Sequence, residues 1–287
     1  MRSAVRAIRA FQAVADTGWG GRAVASFLSG MLRLIGPRKG RIDSNLALVY
    51  PERDEAWRRG IRREVYRGLA WTVTEILALQ REPSRALEWV TDMEGEPVLD
   101  GLLAHDGGAI FLTGHFGNWE LLGSWVAQRL RERGRELAVV YQEIHDRDIS
   151  AFVREHRERN GMRALPKEAS TLDMVRMLKA GGWIGMLTDV SWHGGMVLPF
   201  MGRPCTHSPG PAVLAMLGQV PIVPVAIERR APFRHTVRFF EPILVPRTGS
   251  RTERIERTLL ATIHALEEIV SSRPELWFWL HDRWKRC

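Results

Sequence analysis

Short apolar runs closed by glycine or polar residues alternate, through the second two thirds of the chain, with stretches of helical spacing. Ala109-Ile110-Phe111-Leu112 is uninterrupted and short, the pattern of a strand covered on both faces. It predicts a strand that leaves through Gly114 and Gly117 into a helix over 119–132. Leu137–Tyr141 and Trp183–Thr188 read as further strands, with helices over 148–160 and 170–180 between them. A helix over 208–218, strands over 220–227 and 236–245 and a closing helix over 251–271 complete the pattern. Such alternation predicts an α/β fold, a single domain with a mostly parallel sheet flanked by helices. The pattern does not specify strand order. With 287 residues, 45% of them apolar, the chain is long enough to bury one substantial core.

The first 40 residues are patterned differently. Residues 1–11 mix arginine with apolar side chains, and Ala23–Ile35 continues as an amphipathic helix. Only residues 23–32 lie uncharged between Arg22 and Arg33, too few to cross a bilayer, which takes about 20. Arg2, Arg6, Arg9, Arg22, Arg33, Arg38, Lys39 and Arg41 cluster near the start of a chain whose net charge is +8. The expected division is a basic membrane-associating region over 1–40, lying in the interface against anionic lipid, and a catalytic domain over 41–287. The alternative is a solvated basic helix packed on that domain. The same charge would attract nucleic acid, but no zinc-finger spacing, RNP signature or basic zipper accompanies it, so no nucleic-acid partner is expected.

The chemistry concentrates where the first apolar run ends, in His115-Phe116-Gly117-Asn118-Trp119-Glu120. A neutral imidazole at a strand end can take a proton from an alcohol, and a carboxylate on its other nitrogen would fix the tautomer. His115 is the expected base and Glu120 its partner. The two face each other only if the chain turns between them, which Gly117 and Asn118 permit, and these two are placed in the substrate site. The plainer reading is a strand-end histidine beside a helix-start glutamate.

A histidine, four residues and an acid is the hallmark of the bacterial lipid A biosynthesis acyltransferases, and the chain resembles that family in further blocks. They are Asn45–Pro51, Gly185-Met186-Leu187-Thr188-Asp189, Leu198–Gly202 followed by Thr206, and Pro274–Lys285, in the family order. The resemblance implies a glycerolipid acyltransferase type of core. It implies transfer of a fatty acyl group from acyl carrier protein to a hydroxyl of a lipid A precursor or related glycolipid, at the cytoplasmic face of the bacterial inner membrane. Alternatives are transfer to another membrane lipid, phosphoinositol mannoside-like, from carrier protein or coenzyme A, and an inactive lipid-binding protein. No bound cofactor is implied; the acyl carrier protein or acyl-coenzyme A is a donor substrate.

Other blocks supply candidate substrate ligands. In the arginine-rich helix over 148–160, Arg159 is the preferred ligand for an anionic group and Arg157 the second, against ordinary surface pairs for both. Asp189 follows an apolar run, as His115 does, and is assigned to acceptor positioning or support of a site arginine, against a turn cap. The family commonly has Asp-Gln here, whereas this chain has Asp189-Val190. Thr206, before a helix start, is placed against a carbonyl or headgroup phosphate, with a capped turn that holds no ligand as the equal alternative. The aromatic block 277–284 is read as core, with Arg283 near the site. Two cysteines, Cys205 and Cys287, and the pairs His105-Asp106, His145-Asp146 and His281-Asp282 make no recognised metal signature, so no metal is expected.

Overall fold

The run at 109–113 becomes the central strand β2 (Ala109–Thr113), with β8 (Ile222–Ala231) on one side and β5 (Trp183–Leu187) on the other. Its first four residues are buried, which is why it shows no alternation. The computed structural model describes residues 12, 14–15, 18–142 and 146–284; Arg2, Arg6, Arg9, His145 and Cys287 lie outside them.

Beyond β5 follow β3 (Leu137–Tyr141) and the edge strand β4 (Met162–Pro166), and β8, β2, β5, β3 and β4 all run the same way. On the other edge β9 (Arg234–Phe239) returns antiparallel to β8 and pairs in parallel with β1 (Val90–Glu94). The result is a seven-stranded, largely parallel α/β sheet in a single domain. The predicted strand over 236–245 stops at Phe239, because Pro242 and Pro246 have no N–H for a ladder; a single bridge, Ile222 to Ile243, continues the pairing. A small hairpin, β6 (Met196–Phe200) and β7 (Arg203–His207), turns through Met201 and Gly202, both at positive φ.

Helices α4 (Arg85–Trp89), α5 (Glu96–Ala104), α6 (Trp119–Arg131), α7 (Arg147–Arg159), α8 (Thr171–Lys179), α9 (Gly210–Gly218) and α10 (Arg251–Ser272) complete the α/β body. Before them come α1 (Gly18–Ile35), α2 (Lys39–Val49) and α3 (Glu55–Leu79), of which α1 and α2 both pack on α3. The start of α3 is capped by Asp54, which accepts from Trp57 N–H at 2.8 Å. Among the described residues no helix is long and apolar enough to cross a membrane. The C-terminal segment, a 3₁₀ turn at Pro274–Leu276 followed by 277–284, straps across the loop after β2: Phe116 bridges Trp277, and Phe278 N–H donates to His115 O at 2.9 Å. Trp277 and Trp279 are buried with ring centroids 4.6 Å apart, so this aromatic block is core.

Candidate active site

Neighbouring parallel strands end at the same edge of a sheet, and here the register pairs Thr113 of β2 with Leu187 of β5. Two residues beyond each end stand His115 and Asp189, and the two meet. His115 Nδ1–H donates to Asp189 Oδ1 at 2.8 Å, and the His115 backbone N–H donates to Oδ2 at 2.7 Å. Trp277 Nε1–H also donates to Oδ2, at 2.8 Å. Asp189 is fully buried. Burial alone would raise its pKa, but the adjacent His115, its hydrogen bonds and His281 outweigh that and hold the carboxyl well below the usual carboxylate range. The ionised carboxylate fixes the imidazole tautomer and leaves Nε2 with its lone pair on a ring that is 23% exposed.

Rings surround the imidazole. Trp119 and His281 meet it edge-on with centroids at 4.9 and 4.7 Å, and Phe278 lies at 6.0 Å. Burial, and then the nearness of His115, lowers the His281 pKa to about 4. Two imidazoles therefore share the site, and burial favours the neutral form of His281.

Glu120 does not hold His115. It is buried in the first turn of α6 and forms a two-pronged ion pair with Arg157 of α7, whose Nη2 and Nε donate to Oε1 and Oε2 at 2.7 and 3.1 Å. Trp119 Nε1–H donates to the same carboxylate at 3.1 Å. Burial raises the Glu120 pKa, and Arg157 more than reverses the shift, leaving it lowered. The chain does turn at Gly117, with φ at +58°, but the turn aims His115 at β5 and Glu120 at α7. Glu120 therefore reaches His115 only indirectly, by accepting from the Trp119 indole that packs on the imidazole.

The remaining predicted residues separate in the same way. Arg157 points inward, whereas Arg159, the preferred ligand, lies on the solvent side of α7 with its nearest carboxylate on Glu155 at 3.7 Å. Gly117 N–H already donates to Leu276 O at 2.9 Å, and a Cβ there would sit 1.9 Å from Ile227 O. Asn118 is buried: its Oδ1 caps α6 by accepting from Leu121 N–H at 3.0 Å, and its Nδ2 donates to Glu75 Oε2 at 2.8 Å. Thr206 Oγ1 lies 2.8 Å from Ser191 Oγ, and its carbonyl accepts from Arg283 Nη1 at 3.1 Å. Arg283 is fully buried and also bonds His207, at 2.9 Å from its Nδ1.

A second buried ion cluster went unanticipated in the sequence. Glu75 of α3 accepts from Arg229 at 2.8 Å, from Asn118, and lies 3.0 Å from His235 Nε2; next to it Thr72 Oγ1–H donates to Gly117 O at 3.2 Å. Arg229 and His235 overcome the burial penalty and hold the Glu75 pKa far below its usual range. This cluster ties α3 to the loop that carries His115. Among the described residues no three His, Cys, Asp or Glu side chains gather as a metal site.

No curated protein matches the chain in sequence. Among solved structures, the 1-acyl-sn-glycerophosphate acyltransferase PlsC of Thermotoga maritima is similar over 79% of this chain and 94% of its own, at 14% identity and a TM-score of 0.37. That resemblance is too loose to carry any argument about the site. A family profile settles the matter over most of the length: residues 21–286 match bacterial lipid A biosynthesis acyltransferase. With that profile covering nearly the whole of its length, the chain belongs to the bacterial lipid A biosynthesis acyltransferase family.

Proposed function

We propose that this acyltransferase moves a fatty acyl chain from the thioester of acyl carrier protein to a hydroxyl of a lipid A precursor or related glycolipid, with His115 as general base. The observation that carries the reading is the His115–Asp189 pair, which leaves one imidazole nitrogen free at the edge of the sheet where the parallel strands end. His115 Nε2 takes the acceptor's hydroxyl proton as that oxygen attacks the thioester carbonyl. The tetrahedral intermediate collapses with cleavage of the carbon–sulfur bond, and the leaving thiolate takes the proton back from the imidazolium. Asp189 holds the ring and stabilises its transient charge. Glu120 and Arg157 fix Trp119 against the imidazole, and Arg157, Thr206 and the Gly117–Asn118 turn shape the substrate site.

The same reading places the protein at the cytoplasmic face of the inner membrane, with 1–40 as the membrane-associating region and 41–287 as the catalytic domain. Its support is α1, where Trp19, Phe27, Met31, Leu34 and Ile35 are exposed beside the exposed cations Arg22 and Arg33. The test is acyl addition, followed by mass spectrometry, to a panel of lipid A precursors and other glycolipids from acyl carrier protein and from acyl-coenzyme A. Val190 makes the panel necessary, because an exposed apolar side chain stands there beside Asp189. Transfer to a lipid A precursor by the wild type and not by His115→Ala supports the assignment. Transfer only to another lipid redirects the acceptor, and transfer undiminished in His115→Ala overturns the mechanism.

A further inference from the structure

One face of α3 reaches from solvent to the site. Thr72 and Glu75 hold the His115 loop, and Gly68, one turn earlier, lines two adjoining spaces. The inner space touches Trp119 and Phe278, the rings that pack on His115, and is only about 20 Å³, room for one water. The outer space is about 210 Å³, opens between α3 and the 273–276 turn, and has Arg67 and Arg273 at its rim. The passage is open beside Gly68, where a Cβ would meet nothing closer than Arg229 Nη1 at 3.9 Å, so a longer side chain there would project into it. Glycine inside a helix costs about 1 kcal/mol relative to alanine, so its presence in the middle of α3 needs a reason beyond helix formation.

The mouth of this groove is basic. Exposed Arg59, Arg63 and Arg67 follow at four-residue spacing on one side of α3, an arrangement in which like charges repel. Between 55 and 67 the helix carries five arginines against Glu55 and Glu64. Arg59 pairs with Glu55 at 2.8 Å and Arg67 with Glu64 at 2.5 Å, while Arg63 has no carboxylate partner among the described residues. The chain is rich in arginine elsewhere; this row is set apart because its last member, Arg67, lines the groove that leads to the rings packed on His115, and Arg63 and Arg59 continue from it along the same side of α3.

We infer that the Arg59–Arg63–Arg67 row is the docking surface of an acidic acyl carrier protein, and that the groove past Gly68 admits its phosphopantetheine arm towards His115. The inference rests on the proposed transfer reaction. An extended thioester-bearing arm suits a channel with cations at the mouth and aromatic rings at the inner end, and a negative protein surface complements the row. Phe278 lines the inner neck, and a turn of its ring would widen it while Trp119 stays held by Glu120.

The experiment measures binding without turnover. The anisotropy of fluorophore-labelled dodecanoyl-acyl carrier protein is titrated with wild type, Arg63→Glu/Arg67→Glu and Arg63→Lys/Arg67→Lys, beside sedimentation with vesicles of phosphatidylethanolamine and phosphatidylglycerol. Charge reversal should weaken carrier binding at least about tenfold, the lysine variant should retain it, and added salt should weaken the wild type. Vesicle binding should change less. A larger loss on vesicles assigns the row to the membrane, and that result, unchanged carrier affinity or an absence of wild-type carrier binding each overturns the proposal. Gly68→Leu should still dock the carrier yet lose transfer; undiminished transfer by that variant removes the groove. A wild type that binds the carrier but acylates nothing refutes the proposed reaction and leaves the docking surface standing.

Discussion

Both oxygens of Asp189 are engaged by His115, one through Nδ1–H at 2.8 Å and the other through the backbone N–H at 2.7 Å, so a single carboxylate sets both the ring and the loop that carries it. Asp189→Asn places an amide where three N–H groups converge, from the His115 ring, the His115 backbone and Trp277. Its NH₂ faces either the two fixed donors at the former Oδ2 or the His115 ring, which then takes the tautomer that accepts at Nδ1 and carries the proton on Nε2, so the base loses its free lone pair. Acyl transfer should fall by roughly 10³–10⁴-fold, the effect of losing the orienting acid in comparable triads. Stability should fall by about 1–3 kcal/mol for the unsatisfied group. Rates at saturating donor and chemical denaturation of the same preparation check both, and a rate loss under about tenfold would assign the orientation of His115 to another group.

How far the sequence reveals this site depends on sheet register. The apolar runs at 109–113 and 183–187 were legible as strands, and each was seen to end in a chemically capable residue. That the two strands are neighbours was not legible, since 74 positions separate His115 from Asp189 and strand order does not follow from periodicity. Glu120 lay close in sequence and was the natural partner by spacing; helix α7, packing over α6, supplies Arg157 instead. Arg157 over Arg159 could have been read from the helix itself. Residues two apart differ by about 200° in direction, and 157 shares its face with the inward positions 153, 156 and 160. Glu75 had no local signal apart from a charge interrupting an otherwise inward face of α3.

The Glu120–Arg157 pair should behave as a unit. Glu120→Ala leaves a guanidinium that is 11% exposed without its counter-charge, and should cost about 3–5 kcal/mol. The double variant Glu120→Ala/Arg157→Met removes the stranded charge and should recover much of that loss. A double-mutant cycle by urea denaturation measures the coupling, and additive single effects would contradict the pairing. Activity should not recover with stability, because Trp119 loses the acceptor that fixes its ring beside His115.

Gly117 tests the loop backbone. Its φ of +58° and the 1.9 Å approach of a would-be Cβ to Ile227 O leave no room for any side chain. Gly117→Ala must move the turn away from β8, breaking the bonds from Thr72 and to Leu276. The melting temperature should drop and transfer should be lost, whereas Gly68→Ala, placed in open space within a helix, should melt at or above the wild-type temperature. Differential scanning calorimetry of the two alanine variants side by side separates these outcomes.

Acid should weaken the fold in two stages, and the sign follows from which state binds protons. His207 and His281 are both lowered to about 4 from an ordinary 6.5, His207 by burial and then Arg283, His281 by burial and then His115. Between pH 6.5 and 4 the unfolded chain protonates them and the folded chain does not, so their contribution is complete above 6.5 and is withdrawn as the pH falls through that window. Glu75, Glu120 and Asp189 are lowered as well, Glu75 and Glu120 because Arg229 and Arg157 outweigh burial, Asp189 because His115 and its hydrogen bonds do. Their contribution holds above the ordinary carboxylate range near pH 4.5 and is lost only below it. Melting temperature followed from pH 8 downwards should therefore begin to fall near 6.5 and steepen below about 4.5. His207→Gln should flatten the upper stage and leave the lower one intact, even where the substitution lowers stability at every pH, whereas His281→Gln should flatten the upper stage and also soften the lower one, because His281 helps hold Asp189 low. A profile level down to pH 4.5 in the wild type would mean that these imidazoles titrate normally in the folded protein.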